Sequence, residues 1–184
     1  MTPTIALLRG INVGGNTRIA MADLKKMVLD LGLSAPATLL QSGNLLFTSA
    51  AGDILALEQL LEKETASRLG VAADYILRSP KQWQSVIDSN PFPSAAIDDP
   101  SHLVVVFLKK APSAEAVRNL RAAIAGRETI ELVGNELYAV YPDGIGRSKF
   151  TLSLIEKKLA TRGTGRNWNT VLKLMTLAQS QKNG

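Results

Sequence analysis

The sequence predicts an α+β protein of two similar halves, and three observations carry that prediction. Short apolar runs alternate with stretches of helical period in the same order, strand, helix, strand, strand, helix, on both sides of residues 89–101. That dividing stretch holds three prolines and no sustained period. In each half two strand-like runs flank a short turn, Ser42-Gly43-Asn44 in the first and Gly134-Asn135 in the second. The boundaries expected are 1–90 for an N-terminal α+β half, 91–102 for a linker, and 103–184 for a C-terminal α+β half with basic C-terminal helices.

Residues 4–8 form an apolar run ending at Arg9 and read as a buried strand. The chain leaves it through Gly10, Gly14 and Gly15, whose backbone freedom suits a tight loop or a close approach to a ligand. Met21, Leu24, Met27, Val28 and Leu31 recur at helical spacing, and Gly32 stops that helix. Residues 37–41 and 45–49 make the first hairpin. Asp53 caps a long helix carrying Leu57, Leu61 and Leu69, which Gly70 ends. Residues 73–78 read as a strand. Ser79-Pro80-Lys81-Gln82 then combines a capping serine, a first-turn proline and a glutamine three residues after the serine, a start signal for a short helix burying Trp83 and Val86.

In the second half, the valine-rich residues 103–108 are the most strand-like of the chain. Pro112-Ser113 opens a helix with Val117, Leu120 and Ile124 inward, and residues 129–133 and 136–141 form the second hairpin. Ser148 is expected to cap a helix burying Leu152, Ile155 and Leu159; a glycine-bearing stretch, 162–170, then leads into a last helix. This order is that of a ferredoxin-like βαββαβ sheet with helices on one face, present twice, the second half ending in two extra C-terminal helices.

A chain of 184 residues, 46% of them hydrophobic, can bury one full core or two small ones. No apolar run reaches the length of a membrane span, and the first residues lack the basic head and apolar middle of a signal peptide, so a cytoplasmic setting and no membrane partner are expected. The absence of cysteine removes disulfides and thiolate metal sites. With His102 the sole imidazole and no Asp/Glu cluster at metal-site spacing, no metal centre is expected and no cofactor is indicated.

The net charge of +5 is unevenly distributed. Residues 1–90 hold eight Lys/Arg and eight Asp/Glu, whereas from Gly144 onward eight cations face the single Glu156. Such a local excess gathers phosphates and other anions, or forms a solvated helix face.

Within that basic segment, Asp143-Gly-Ile-Gly-Arg-Ser-Lys-Phe150 sets two glycines and two cations where a loop is expected to enter a helix. If Ser148 caps that helix, its hydroxyl and the free first-turn N–H groups converge, with Arg147 and Lys149 alongside, on a point suited to a phosphate or carboxylate. Arg166 and Asn167, after Gly163 and Gly165, repeat the arrangement before the last helix. Ordinary helix capping uses the same residues. In the first half Arg9, Asn12, Gln41, Ser42 and Asn44 lie at strand ends or turns and could bind a planar or phosphorylated ligand, or simply satisfy turn backbone. Acid–base candidates are few: Asp143 precedes a turn glycine and reads as structural, and His102 reads as a strand-end residue. The strands lack the aromatic run of an RNA-recognition sheet.

Several of these motifs, taken together, resemble a known family. Leu-Leu-Arg-Gly-Ile-Asn-Val-Gly-Gly at 7–15, Gln-Ser-Gly-Asn at 41–44, Asn-Pro-Phe at 90–92, Tyr-Pro-Asp-Gly-Ile-Gly-Arg-Ser-Lys-Phe at 141–150 and Gly-Arg-Asn-Trp-Asn-Thr at 165–170 resemble the domain-of-unknown-function family numbered 1697. The resemblance implies an α+β fold of two ferredoxin-like parts and carries over no catalytic residue. Three functional readings follow from the residues. The first is a binding module with a cleft for a phosphate-bearing ligand, nucleotide or nucleic acid. The second is an enzyme acting on a small phosphorylated or carboxylated substrate, with arginines as clamps. The third is a protein-interaction or structural protein.

Overall fold

The computed structural model describes residues 2–11, 18–40, 43–50 and 52–182. The chain divides into two compact units, Met1–Gln84 with Leu174–Gly184, and Ser85–Lys173.

The first unit contains β1 (Thr2–Arg9), α1 (Met21–Asp30), β2 (Ser34–Thr38), β3 (Asn44–Ser49), α2 (Ile54–Leu69) and β4 (Asp74–Arg78), followed by the start of α3 (Pro80–Asp88). Its sheet has the order β2-β3-β1-β4, every neighbouring pair antiparallel. The local signals act as expected at two helix starts. Asp53 accepts from Leu55 N at 2.9 Å, and Ser79 and Gln82 exchange backbone-to-side-chain bonds, Ser79 N donating to Gln82 Oε1 at 2.8 Å and Gln82 N to Ser79 Oγ at 3.2 Å. β2 ends at Thr38, earlier than the 37–41 expected, with a register shift between Ser34 and Ala37. Leu40 then takes a left-handed φ of 59° and stands exposed.

The second unit contains α4 (Pro93–Asp98), β5 (Leu103–Leu108), α5 (Ala114–Ala122), β6 (Thr129–Val133), β7 (Glu136–Val140), a 3-10 turn (Ile145–Arg147), α6 (Leu152–Leu159), β8 (Gly163–Asn167) and the start of α7 (Trp168–Lys182). Its sheet order, β6-β7-β5-β8, is again fully antiparallel and repeats that of the first unit. The fold is therefore α+β with two similar halves, each a βαββαβ sheet, followed by the C-terminal helix. The glycine-bearing stretch expected only to lead into the last helix contains β8, which lies between the last two helices and completes the second repeat. The stretch 91–102 contains α4, none of whose residues is buried.

In each unit one face of the sheet packs under the helices. Ala6, Leu8, Leu45, Phe47, Tyr75 and Leu77 form that face with Leu24, Val28 and Leu61 in the first, and Val104, Val106, Leu108, Leu137 and Ala139 with Leu120, Ile155 and Leu159 in the second. The opposite faces are apolar as well: Ile5, Leu7, Leu46 and Ile76, and likewise Leu103, Val105 and Phe107, have no exposed surface. This explains why β1 and β5 read as unbroken hydrophobic runs rather than alternating ones. Among the described residues no helix is long and apolar enough to cross a membrane.

Both outer strands on the β4 and β8 side are closed by carboxylates. Glu62 Oε1 accepts from Tyr75 N at 3.0 Å and Glu58 Oε1 from Leu77 N at 2.8 Å, the alternate outward-pointing N–H groups of β4. In the second unit Glu156 Oε1 of α6 accepts from Gly163 N of β8 at 2.8 Å. A charge-assisted bond of this kind contributes about 1.5–3 kcal/mol. Since Glu58 is buried, Glu58→Ala is expected to lower the unfolding free energy by about that amount, and Glu58→Gln, which keeps the acceptor, by well under half of it. Urea unfolding followed by circular dichroism measures both; an alanine variant as stable as the wild type would show that the bond holds nothing.

Candidate functional site

The second unit places the loop between β7 and α6 over a cavity. Tyr141, just past β7, turns its ring into the core, where its hydroxyl donates to the Phe150 carbonyl at 3.1 Å and the two ring centroids lie 6.0 Å apart. Burial pushes its phenol up to about 12. Gly144 sits at φ 83°, ψ 149°, a conformation confined in practice to glycine, and starts the 3-10 turn. Two charged contacts from the preceding α5–β6 loop tie the segment down: Arg127 pairs with Asp143, and Ser148 Oγ donates to Glu128 Oε1. Asp143, which read as structural from its turn, is held below the usual carboxylate range by the hydrogen bond from Arg127.

Ser148 differs from its expected role. Its Oγ accepts from Phe150 N at 2.9 Å and so closes a turn, while the cap of α6 is Thr151, whose Oγ1 accepts from Leu154 N at 3.3 Å. The reason is Phe150: its ring is buried in the core, and bringing it there takes the residues between the 3-10 turn and the helix. The helix N–H groups therefore do not point at Ser148. Arg147 and Lys149 extend from this tethered loop, exposed, and neither side chain forms an ion pair or hydrogen bond among the described residues.

The cavity beneath has a volume of about 390 Å³. Val104 and Val106 of β5, Ile145 and Phe150 of the loop, Leu152 and Ile155 of α6, and Tyr141 make it apolar; Thr151 and Asn167 are its polar side chains. It exists because of the alternation in β8. Gly163, Gly165 and Asn167 face the helices, and Gly165, at the cavity wall, has no side chain to fill it. A Cβ on Gly165 would lie 3.2 Å from Val104 Cγ1, and one on Gly163 only 2.9 Å from Leu108 Cδ2. Asn167 Oδ1 accepts from Thr170 N at 3.0 Å and Thr170 Oγ1 at 2.8 Å, capping α7 as its sequence context suggests; its amide nitrogen has no hydrogen-bond partner among the described residues.

The remaining expected site residues are distributed elsewhere. Arg166 points to the opposite face of β8 and is buried, its Nη1 donating to Thr164 Oγ1 at 2.7 Å and to the Gly165 carbonyl at 2.8 Å. Burial lowers its guanidinium to about 10, so it stays protonated at neutral pH. In the first unit Arg9 pairs with Asp74 across β1 and β4 at 3.3 Å, and Asn44 is fully buried, its Nδ2 donating to the Leu39 carbonyl at 2.9 Å. Asn12, Gln41 and Ser42 lie outside the described residues. The second unit thus gathers Arg147, Ser148, Lys149 and Asn167 in or beside one loop and cavity.

His102, next to the first residue of β5 and so at a strand end as its sequence context suggests, also lies beside this loop. Its Nδ1 lies 2.6 Å from Asp99 Oδ2, and Ser101 Oγ donates to Asp99 Oδ1 at 2.9 Å. The bond from His102 holds the Asp99 carboxyl below its ordinary value. Its Nε2 stands 3.5 Å from where a Cβ on Gly144 would lie. The signal was present as Asp99-Pro-Ser-His102, a turn that brings a carboxylate and an imidazole together. Among the described residues no group of three or more His, Asp and Glu could hold a metal ion.

The family model described as "Protein of unknown function (DUF1697)" matches residues 1–138, ending before the loop and β8. The solved structure of the conserved bacterial protein SP0830 from Streptococcus pneumoniae is similar over 96% of this chain and 98% of that one, with a TM-score of 0.76 and 21% identity, a likeness of fold. No curated protein matches the chain.

The tethers of the loop differ in weight. Glu128 Oε2 is buried without a partner among the described residues, so Ser148 is what satisfies this carboxylate. Ser148→Ala is expected to cost about 1–3 kcal/mol of unfolding free energy, whereas Asp143→Ala, in an ion pair exposed on both sides, leaves the urea midpoint at pH 7 unchanged. Equal midpoints for the two variants would refute this ranking.

Proposed function

Since the chain belongs to DUF1697, a family described only as one of unknown function, we propose from its own geometry that the second unit binds a small phosphate-bearing molecule with an apolar or planar body, of about nucleotide size. One observation carries this reading: a cavity of about 390 Å³, lined by apolar and aromatic side chains and one amide whose nitrogen is uncommitted, lies under a loop that presents two cations unpaired among the described residues. Ligand cavities commonly have such volumes, with few polar groups fixing orientation. The body of the ligand rests against Tyr141 and Phe150, the Asn167 amide nitrogen donates to it, and Arg147 and Lys149 attract its anionic group. The tethered backbone of the loop lowers the entropic cost of holding the two cations in place.

Thermal-shift measurements with nucleoside monophosphates, sugar phosphates and aromatic carboxylates test this. One class is expected to raise the melting temperature, corresponding to about 2.7 kcal/mol at a hundred times its Kd. Arg147→Ala/Lys149→Ala is expected to weaken that ligand by roughly tenfold or more, and Gly165→Val, which fills the cavity, to abolish the shift while the unliganded protein still unfolds cooperatively. No shift with any class, or a shift that survives Gly165→Val, rejects the reading.

The Asp99–His102 pair favours a second reading, an enzyme acting on the same ligand. Asp99 holds Nδ1–H, which leaves Nε2 to accept a proton beside Gly144, next in the chain to the cavity residue Ile145. Phosphate release from the stabilising ligand should then occur and be lost in His102→Gln with binding retained; equal release by that variant and the wild type would exclude it.

A further inference from the structure

At the other end of α6 the same unit forms an open depression of about 540 Å³, lined by Lys109, Lys110, Lys157 and Arg162 together with Glu156 and Thr161. The four cations come from separate segments: the end of β5, the last turn of α6, and the entry to β8. They are brought together by the strand pairing, which continues past β5 and β8 as Lys109 N donates to the Arg162 carbonyl at 2.9 Å and Lys110 N to Thr161 Oγ1 at 3.2 Å. Lys110, Lys157 and Arg162 are exposed.

We propose that this depression binds the phosphate backbone of nucleic acid, independently of base sequence. Two negative contributions oppose the cations, and both are smaller. Glu156 already accepts from Gly163 N at 2.8 Å, and the C-terminal end of α6 presents only about half a negative charge. Four positive charges against roughly one and a half leave a net of about +2.5. No aromatic side chain lines the depression, so there is no surface for base stacking, and long, exposed lysines suit a row of phosphates rather than one convergent ligand. The site is separate from the cavity under the 143–150 loop: the two share no lining residue.

The test is a salt titration of the full chain with a fluorescein-labelled 20-base-pair duplex. Lys110 and Lys157, each neutralising one phosphate, contribute about −1.8 to the slope of log affinity against log salt, and Lys110→Ala/Lys157→Ala should remove that contribution and weaken binding at least tenfold at low salt. Lys25→Ala/Lys26→Ala, an equal loss of charge on α1, and Gly165→Val should leave the slope unchanged. Absence of duplex binding at 50 mM salt, an unchanged slope in the Lys110/Lys157 variant, or an equal loss in the Lys25/Lys26 variant overturns the proposal. Loss of duplex binding in Arg147→Ala/Lys149→Ala alone also overturns it and assigns the charge to the loop.

Discussion

The architecture rests on carboxylates that close the edges of its sheets. A βαββαβ sheet ends in an outer strand with unpaired N–H groups, and here the second helix of each βαββαβ repeat supplies the acceptors: Glu58 and Glu62 for β4, Glu156 for β8. The arrangement matters most in the second unit. β8, with the sequence Gly-Thr-Gly-Arg-Asn, has little intrinsic strand preference. It is a strand because β5 pairs with it and α6 holds its first residue. The cavity in that unit depends on the result. The alternation of β8 sends Gly165 and Asn167 to the cavity and Thr164 and Arg166 to the buried opposite face.

The sequence announced the elements whose signals are local. The capping box at Ser79, the Asp53 cap and the hairpin turn at Gly134-Asn135 depend on neighbours within a few residues, and the structure contains them. The repeated element order was likewise visible, because apolar periodicity reports packing along a continuous stretch. β8 was hidden for the opposite reason. Its strand character comes from partners more than fifty residues away, and its own glycines and polar residues look like loop. The cap of α6 was displaced for a related reason: Ser148 has the right chemistry, but the burial of Phe150 sets where the helix begins.

Site residues divide in the same way. Their positions at strand ends and turns could be read directly, but the direction of each side chain could not. Asn44 and Arg166 are polar residues in turn-like contexts, yet tertiary pairing buries both. The structure instead brings out Lys109, Lys110, Lys157 and Arg162, scattered in sequence and joined only by the sheet register, and His102, whose partner Asp99 sits three residues before it. Charge counted along the chain locates an excess; the register decides which cations share a surface.

Asn167 has one further consequence. Its amide oxygen is fixed by Thr170 N–H, a group that can only donate, so turning the amide over would set donor against donor and uncap α7. What the cap leaves free on that side chain is therefore an N–H and not a carbonyl. If the cavity takes a guest as proposed, one with a carbonyl or ring nitrogen there would meet a donor, and one that differs only in offering an amino group would set donor against donor. On the proposed reading, the start of one helix would thus let the cavity separate molecules of the same size and charge by hydrogen-bond polarity.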